Sequence, residues 1–66
     1  MATEREREII QAMADGNLNI SEAARILFMS RNNVEYHVEK IKKHYGLDCR
    51  KFYDLIKLLE MAGNPF

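Results

Sequence analysis

The run from Ser30 to Gly46 constrains this chain more than any other stretch. Val34, Val38, Ile41 and Tyr45 recur at spacings of three and four, which puts them on one stripe of an α-helix. Arg31, Asn32, Asn33, Glu35, His37, Lys40 and Lys43 fall largely outside that stripe. Ser30 is placed to cap the helix and Gly46 to stop it. A helix with a single apolar stripe must lay it against other elements. A chain of 66 residues has room for only one thin core, burying about 60% of its unfolded surface.

The remaining signals are also helical, and no stretch alternates apolar and polar residues for long enough to predict a strand. Thr3 and Glu6 have the spacing of a capping box ahead of Ile9, Ile10 and Met13, and Gly16 and Asn17 break that pattern. The short segment that follows puts Ile20, Ala24 and Leu27 on one stripe. Asp48 is placed to cap a last helix with Phe52, Leu55, Leu59 and Ala62 along one face, stopped by Gly63, Asn64 and Pro65. The expectation is all-α: a compact four-helix cluster containing a helix-turn-helix, in a single domain over residues 1–66, with helices at 4–15, 21–28, 31–45 and 49–62. The expected core is Ile9, Met13, Ala24, Leu27, Val34, Val38, Ile41, Phe52, Leu55 and Leu59.

Composition narrows the function classes. Apolar residues make up 47% and charged residues 30%, the balance of a folded domain and not of a disordered segment. A lone Cys49 forms no internal disulfide, and Cys49, His37 and His44 are too few and too unevenly spaced to predict a metal site. No cofactor motif is present. No nucleophile elbow, glycine-rich phosphate loop or zinc-protease motif occurs, and Cys49 has no motif-supported histidine partner, so no enzyme is expected. The charged opening MATEREREIIQ leads neither into a signal peptide nor into a spanning helix, so the expectation is a cytoplasmic protein without a membrane partner.

Charge is unevenly placed although its sum is zero. Residues 1–22 carry five acidic and two basic groups, residues 23–51 three acidic and seven basic, and residues 52–66 two acidic and one basic. The middle of the chain is therefore the part suited to an anion. There Ala24 precedes Val34 by ten residues, with Ser30 between a short helix and a longer one. A small residue at position 24 lets the two helices approach closely, and the second then exposes its first turn, as in a helix-turn-helix.

The residues of that turn suit nucleic acid, although polar residues cap any helix. Backbone N–H groups beside Ser30 can hold a phosphate, Arg31 can clamp phosphate or guanine, and Asn32 or Asn33 can pair with adenine. Glu35 either faces solvent or joins an intrahelical pair near Glu39, or it accepts from cytosine N4. Tyr36 is placed for a phosphate hydrogen bond, His37 and His44 are rim residues able to reach a phosphate, and Lys40 can assist at the backbone. Lys40, Lys42 and Lys43 also complement the C-terminal helix dipole without any ligand.

The stretch ISEAARILFMSRNNVEYHVEKI, from Ile20 to Ile41, resembles the C-terminal helix-turn-helix of PucR/CdaR-type bacterial transcription regulators, and more distantly the DNA-binding domains of LuxR-type and Fis-type regulators. The resemblance continues through Gly46-Leu47-Asp48 and the apolar helix from Phe52 to Leu59. It implies sequence-specific binding of double-stranded DNA in the major groove by a bacterial or phage regulator, usually as a dimer. It also implies that Ala24 is the small packing residue, that Arg31 and Asn32 open the recognition helix, and that Tyr36 is the aromatic following Val34.

The last helix has more apolar residues than one inward face accommodates. With Phe52, Leu55 and Leu59 turned inward, Leu58 and Met61 point elsewhere and Ile56 lies at the margin, which suggests these three as the seam of a homodimer. A different function class is a small adaptor or anti-regulator that binds another protein on the same scaffold. A regulatory protein partner is compatible with either.

Overall fold

The computed structural model of the chain describes residues 3–63. Four helices follow one another: α1 (Glu4–Asp15), α2 (Ile20–Leu27), α3 (Arg31–Tyr45) and α4 (Phe52–Ala62). No strand occurs among the described residues. Helix α1 is the hub, packing against α2, α3 and α4, while α2 also packs against α3.

The local signals act as their chemistry requires. Thr3 and Glu6 close a reciprocal capping box, with the Thr3 hydroxyl accepting from Glu6 N–H at 3.2 Å and the Glu6 carboxylate accepting from Thr3 N–H at 2.8 Å. Asn19 caps α2 through Glu22 N–H at 3.2 Å, so that helix begins at Ile20, one residue before the expected start. It ends at Leu27 because Phe28 turns left-handed at φ 55° while Met29 N–H closes onto the Ala24 carbonyl. Ser30 caps α3, and Gly46, at φ 71°, ends it.

Helix α4 starts at Phe52, not at residue 49. The Asp48 carboxylate is engaged elsewhere, accepting from the Arg50 backbone N–H at 2.9 Å and from Arg50 Nε at 3.0 Å. Residues 48–51 therefore form a turn, closed by Lys51 N–H on the Asp48 carbonyl, and α4 begins after Lys51 without a side-chain cap. Gly63 ends α4 in the left-handed conformation, and Asn64 and Pro65, expected to share in that stop, lie outside the described residues.

Ile9, Ile10, Met13, Ala24, Val34, Val38, Ile41, Leu55 and Leu59 are buried together, and Leu27 packs partly buried against them. Two positions on α4 exchange the roles expected for them: Phe52 is 59% exposed and Leu58 only 1%. The inward set is Leu55, Leu58 and Leu59 with Ala62 packed against it, the three- and four-residue spacing of an apolar face rotated away from Phe52. Cys49 is fully buried, and burial together with the Asp48 charge pushes its thiol up to about 12. Close approach of α1 and α2 rests on Ala12, Gly16 and Ala23: a Cβ on Gly16 would meet the Ala12 carbonyl oxygen and the Ala23 nitrogen at 3.0 Å.

Candidate nucleic-acid interface

Helix α3 turns Val34, Val38 and Ile41 into the core and leaves Arg31, Asn32, Asn33, Tyr36, Glu39, Lys40, Lys42 and Lys43 exposed. Because α4 packs on α1 and not on α3, no element among the described residues covers this outer face. The Ser30 hydroxyl accepts from Asn33 N–H at 3.1 Å. Arg31 and Asn32 occupy the first turn, where backbone N–H groups have no intrahelical carbonyl to donate to, so the capped end presents donors to an anion.

The charges are arranged so that the acidic residues of α3 are occupied. Glu35 lies one turn after Arg31, with Arg31 Nε 3.3 Å from its carboxylate. Glu39 is held from outside the helix by Arg50 at 2.6 Å, and the same guanidinium binds Asp48. Burial pushes the Asp48 carboxyl up, but hydrogen bonds from the Arg50 side chain and backbone, with the charges of Arg50 and Lys42, outweigh it and hold the group below its ordinary value. With both carboxylates of α3 paired, Lys40, Lys42 and Lys43 set the sign of its outer face. Lys40 Nζ stands 5.9 Å from the centre of the Tyr36 ring, whose edge meets His37.

Ser30, Arg31, Asn32, Asn33, Tyr36 and Lys40 are thus exposed along the start and outer side of one helix, and Glu35 and His37 are half-buried on its flanks. Tyr45 is partly buried and donates its hydroxyl to Glu6 at 2.9 Å, joining the end of α3 to the start of α1. Arg50 belongs to this surface although the sequence reading did not single it out. Its partner Glu39 lies 11 residues earlier, across the Gly46 turn, a separation no helical spacing reveals.

The expected dimer seam does not form one surface. Leu58 is in the core, Ile56 is half-buried and Met61 is exposed. Ile56 and Met61 are five residues apart, about 140° around a helix. The exposed aromatics of α4 are Phe52 and Tyr53, at its first turn.

No helix of the described residues is long and apolar enough to cross a membrane, and no group of three or more potential metal-ligating side chains occurs among them. The family model described as the PucR C-terminal helix-turn-helix domain matches residues 7–62. No curated protein and no solved structure matches the chain.

Proposed function

The chain belongs to the PucR C-terminal helix-turn-helix domain family, and from that premise we propose that it is a sequence-specific duplex-DNA-binding transcription regulator that inserts the start of α3 into the major groove. In this reading Arg31, Asn32 and Asn33 address base edges, Ser30 and the first-turn N–H groups address phosphate, and Tyr36 and Lys40 address the backbone. Glu35 orients Arg31 and can accept from cytosine N4. The proposed activity is binding without catalysis, in the cytoplasm.

The observation that carries this reading is the outer face of α3. It is uncovered by any other helix, opens on a capped turn of Arg-Asn-Asn, and has its two carboxylates already paired with arginines. A protein-binding adaptor would favour an apolar face there, whereas the exposed residues of α3 are polar or charged apart from the Tyr36 ring.

Titration against a random duplex library at two salt concentrations tests it. Recovery of a preferred sequence that retains its advantage at the higher salt supports specific readout. Retention of all duplexes alike, with affinity lost as salt rises, reduces the activity to phosphate attraction.

The same reading expects two copies on DNA, with recognition helices about 34 Å apart so that each reads one half-site. One apolar surface open to a second copy is the Phe52 and Tyr53 end of α4, with Ile56 beside it and Met61 on another side. Sedimentation equilibrium with and without the recovered duplex tests this. A single copy per duplex at all concentrations removes the dimer and leaves the DNA reading standing.

A further inference from the structure

A cleft of about 230 Å³ opens between the start of α1 and one flank of α3, lined by the cap residue Thr3, by Arg5 and Glu6 from α1 and by His37, Lys40, Ile41 and His44 from α3. Arg5 is held at the base of the helix-turn-helix turn, its Nη1 3.4 Å from Met29 Sδ, 24 residues away in sequence and next to the α3 cap. It also makes an exposed pair with Glu8 at 3.3 Å. The cleft's carboxylate, Glu6, is already engaged: it accepts from Thr3 N–H and from the Tyr45 hydroxyl, and His44 Nδ1 stands 3.8 Å from it. That leaves three basic side chains from two helices, Arg5, His37 and Lys40, along the edge of the exposed face of α3.

We propose that Arg5, His37 and Lys40 form a phosphate-binding edge that grips a backbone phosphodiester of duplex DNA beside the recognition helix and fixes that helix's position in the groove. The proposal rests on the DNA-binding reading above and adds to it a contact from α1. A tetrahedral phosphate accepts from several directions at once, and these donors line one cleft from two separate elements; the guanidinium and ammonium supply the charge. Such a contact adds affinity and orientation without base selectivity.

The edge is also proton-linked. The groups facing His37 are Arg5 and Glu6 from α1 and Tyr36, Lys40 and His44 from α3. Burial, and then the charges of Arg5 and Lys40, hold the free imidazole below its ordinary value. A phosphate set beside His37, Arg5 and Lys40 favours the imidazolium, so binding takes up a proton. The gain is fully present below the free-state pKa and is lost as pH rises through the bound-state value.

The test is fluorescence anisotropy of the full chain with a random-sequence duplex over a series of potassium chloride concentrations, for the wild type, Arg5→Ala, Arg5→Lys, His37→Gln and His44→Gln. Arg5→Ala is expected to lower the magnitude of the salt slope by about 0.9, and Arg5→Lys to restore it. At fixed salt, wild-type and His44→Gln affinities fall as pH rises from the free-state through the bound-state titration of the imidazole, and His37→Gln removes that fall. A wild type that binds duplex while Arg5→Ala keeps the full slope overturns the edge and spares the DNA reading. A wild type that binds no duplex overturns both. A pH dependence abolished by His44→Gln and kept by His37→Gln overturns the proton linkage. An arm with inorganic phosphate alone separates the sources: an Arg5-dependent shift of the His37 resonances by phosphate, together with an Arg5→Ala protein that keeps the full duplex salt slope, assigns the cleft to a free anion and overturns the backbone contact.

Discussion

Arg31 Nε lies 3.3 Å from the Glu35 carboxylate, one helical turn further along α3. The first cation of α3 therefore shares its charge with a neighbouring carboxylate. The Arg31 side chain is largely in water and that of Glu35 half-buried, and so open a pair contributes little to stability. Its consequence is for binding.

Glu35→Gln removes the repulsion between that carboxylate and phosphate and releases Arg31. Affinity for a random duplex should tighten roughly two- to fivefold, while the preference for an enriched sequence over that duplex narrows because Arg31 is no longer oriented. Anisotropy at one fixed salt concentration reads both quantities. Weaker binding to both duplexes contradicts this role for Glu35.

The reversal on α4 has a direct thermodynamic signature. Leu58 is buried and Phe52 exposed, so Leu58→Ala should cost about 2–5 kcal/mol and Phe52→Ala no more than about 0.5 kcal/mol. Urea unfolding of the two variants decides it. Comparable losses, or a larger one at Phe52, contradict the observed rotation of the helix.

That rotation marks where the sequence stops being legible. Helices α1 and α3 occupy the expected ranges because each has a chemical start signal, the Thr3–Glu6 box and the Ser30 cap, and a narrow apolar stripe with a single possible phase. In α4 Phe52, Leu55, Ile56, Leu58 and Leu59 offer two overlapping stripes, and only contact with α1 selects between them. Its start differs from the expected one for a related reason: Asp48 has the chemistry of a cap, but the Arg50 guanidinium two residues later claims its carboxylate. The exposed side of α3 could be read from periodicity, and the Arg31–Glu35 pair lies at a spacing of four. The contacts of Arg50 with Glu39 and of Arg5 with Met29 span 11 and 24 residues and exist only once the helices have packed.

The junction of α1 and α2 should tolerate no side chain at position 16. Gly16 has φ −87°, open to any residue, so the constraint is space: a Cβ would press on backbone atoms of Ala12 and Ala23 at 3.0 Å and on Glu22 Cβ at 3.1 Å. Gly16→Ala is expected to destabilise the domain by about 1–3 kcal/mol. An unchanged unfolding midpoint contradicts that packing.

Asp48 gives the fold an acid limb. Its carboxyl is held below the ordinary value in the folded state by Arg50, against the effect of burial. The stabilisation is therefore complete above the unfolded-state value of about 3.9 and is lost as pH falls through the lower folded-state value. Thermal unfolding followed from neutral to acid pH should show this loss in the wild type and a shallower acid dependence in Asp48→Asn. Parallel profiles for the two proteins contradict it.

The central claim, that the start of α3 reads DNA sequence, is tested most directly by the ratio of dissociation constants for an enriched duplex and its scrambled counterpart, measured for the wild type and for Arg31→Ala. The account predicts a wild-type ratio on the order of 10³ or more, reduced by Arg31→Ala by the equivalent of about 1–3 kcal/mol, with affinity for the scrambled duplex changed far less. A wild type that binds both duplexes equally, or an Arg31→Ala protein that keeps the full ratio, contradicts it.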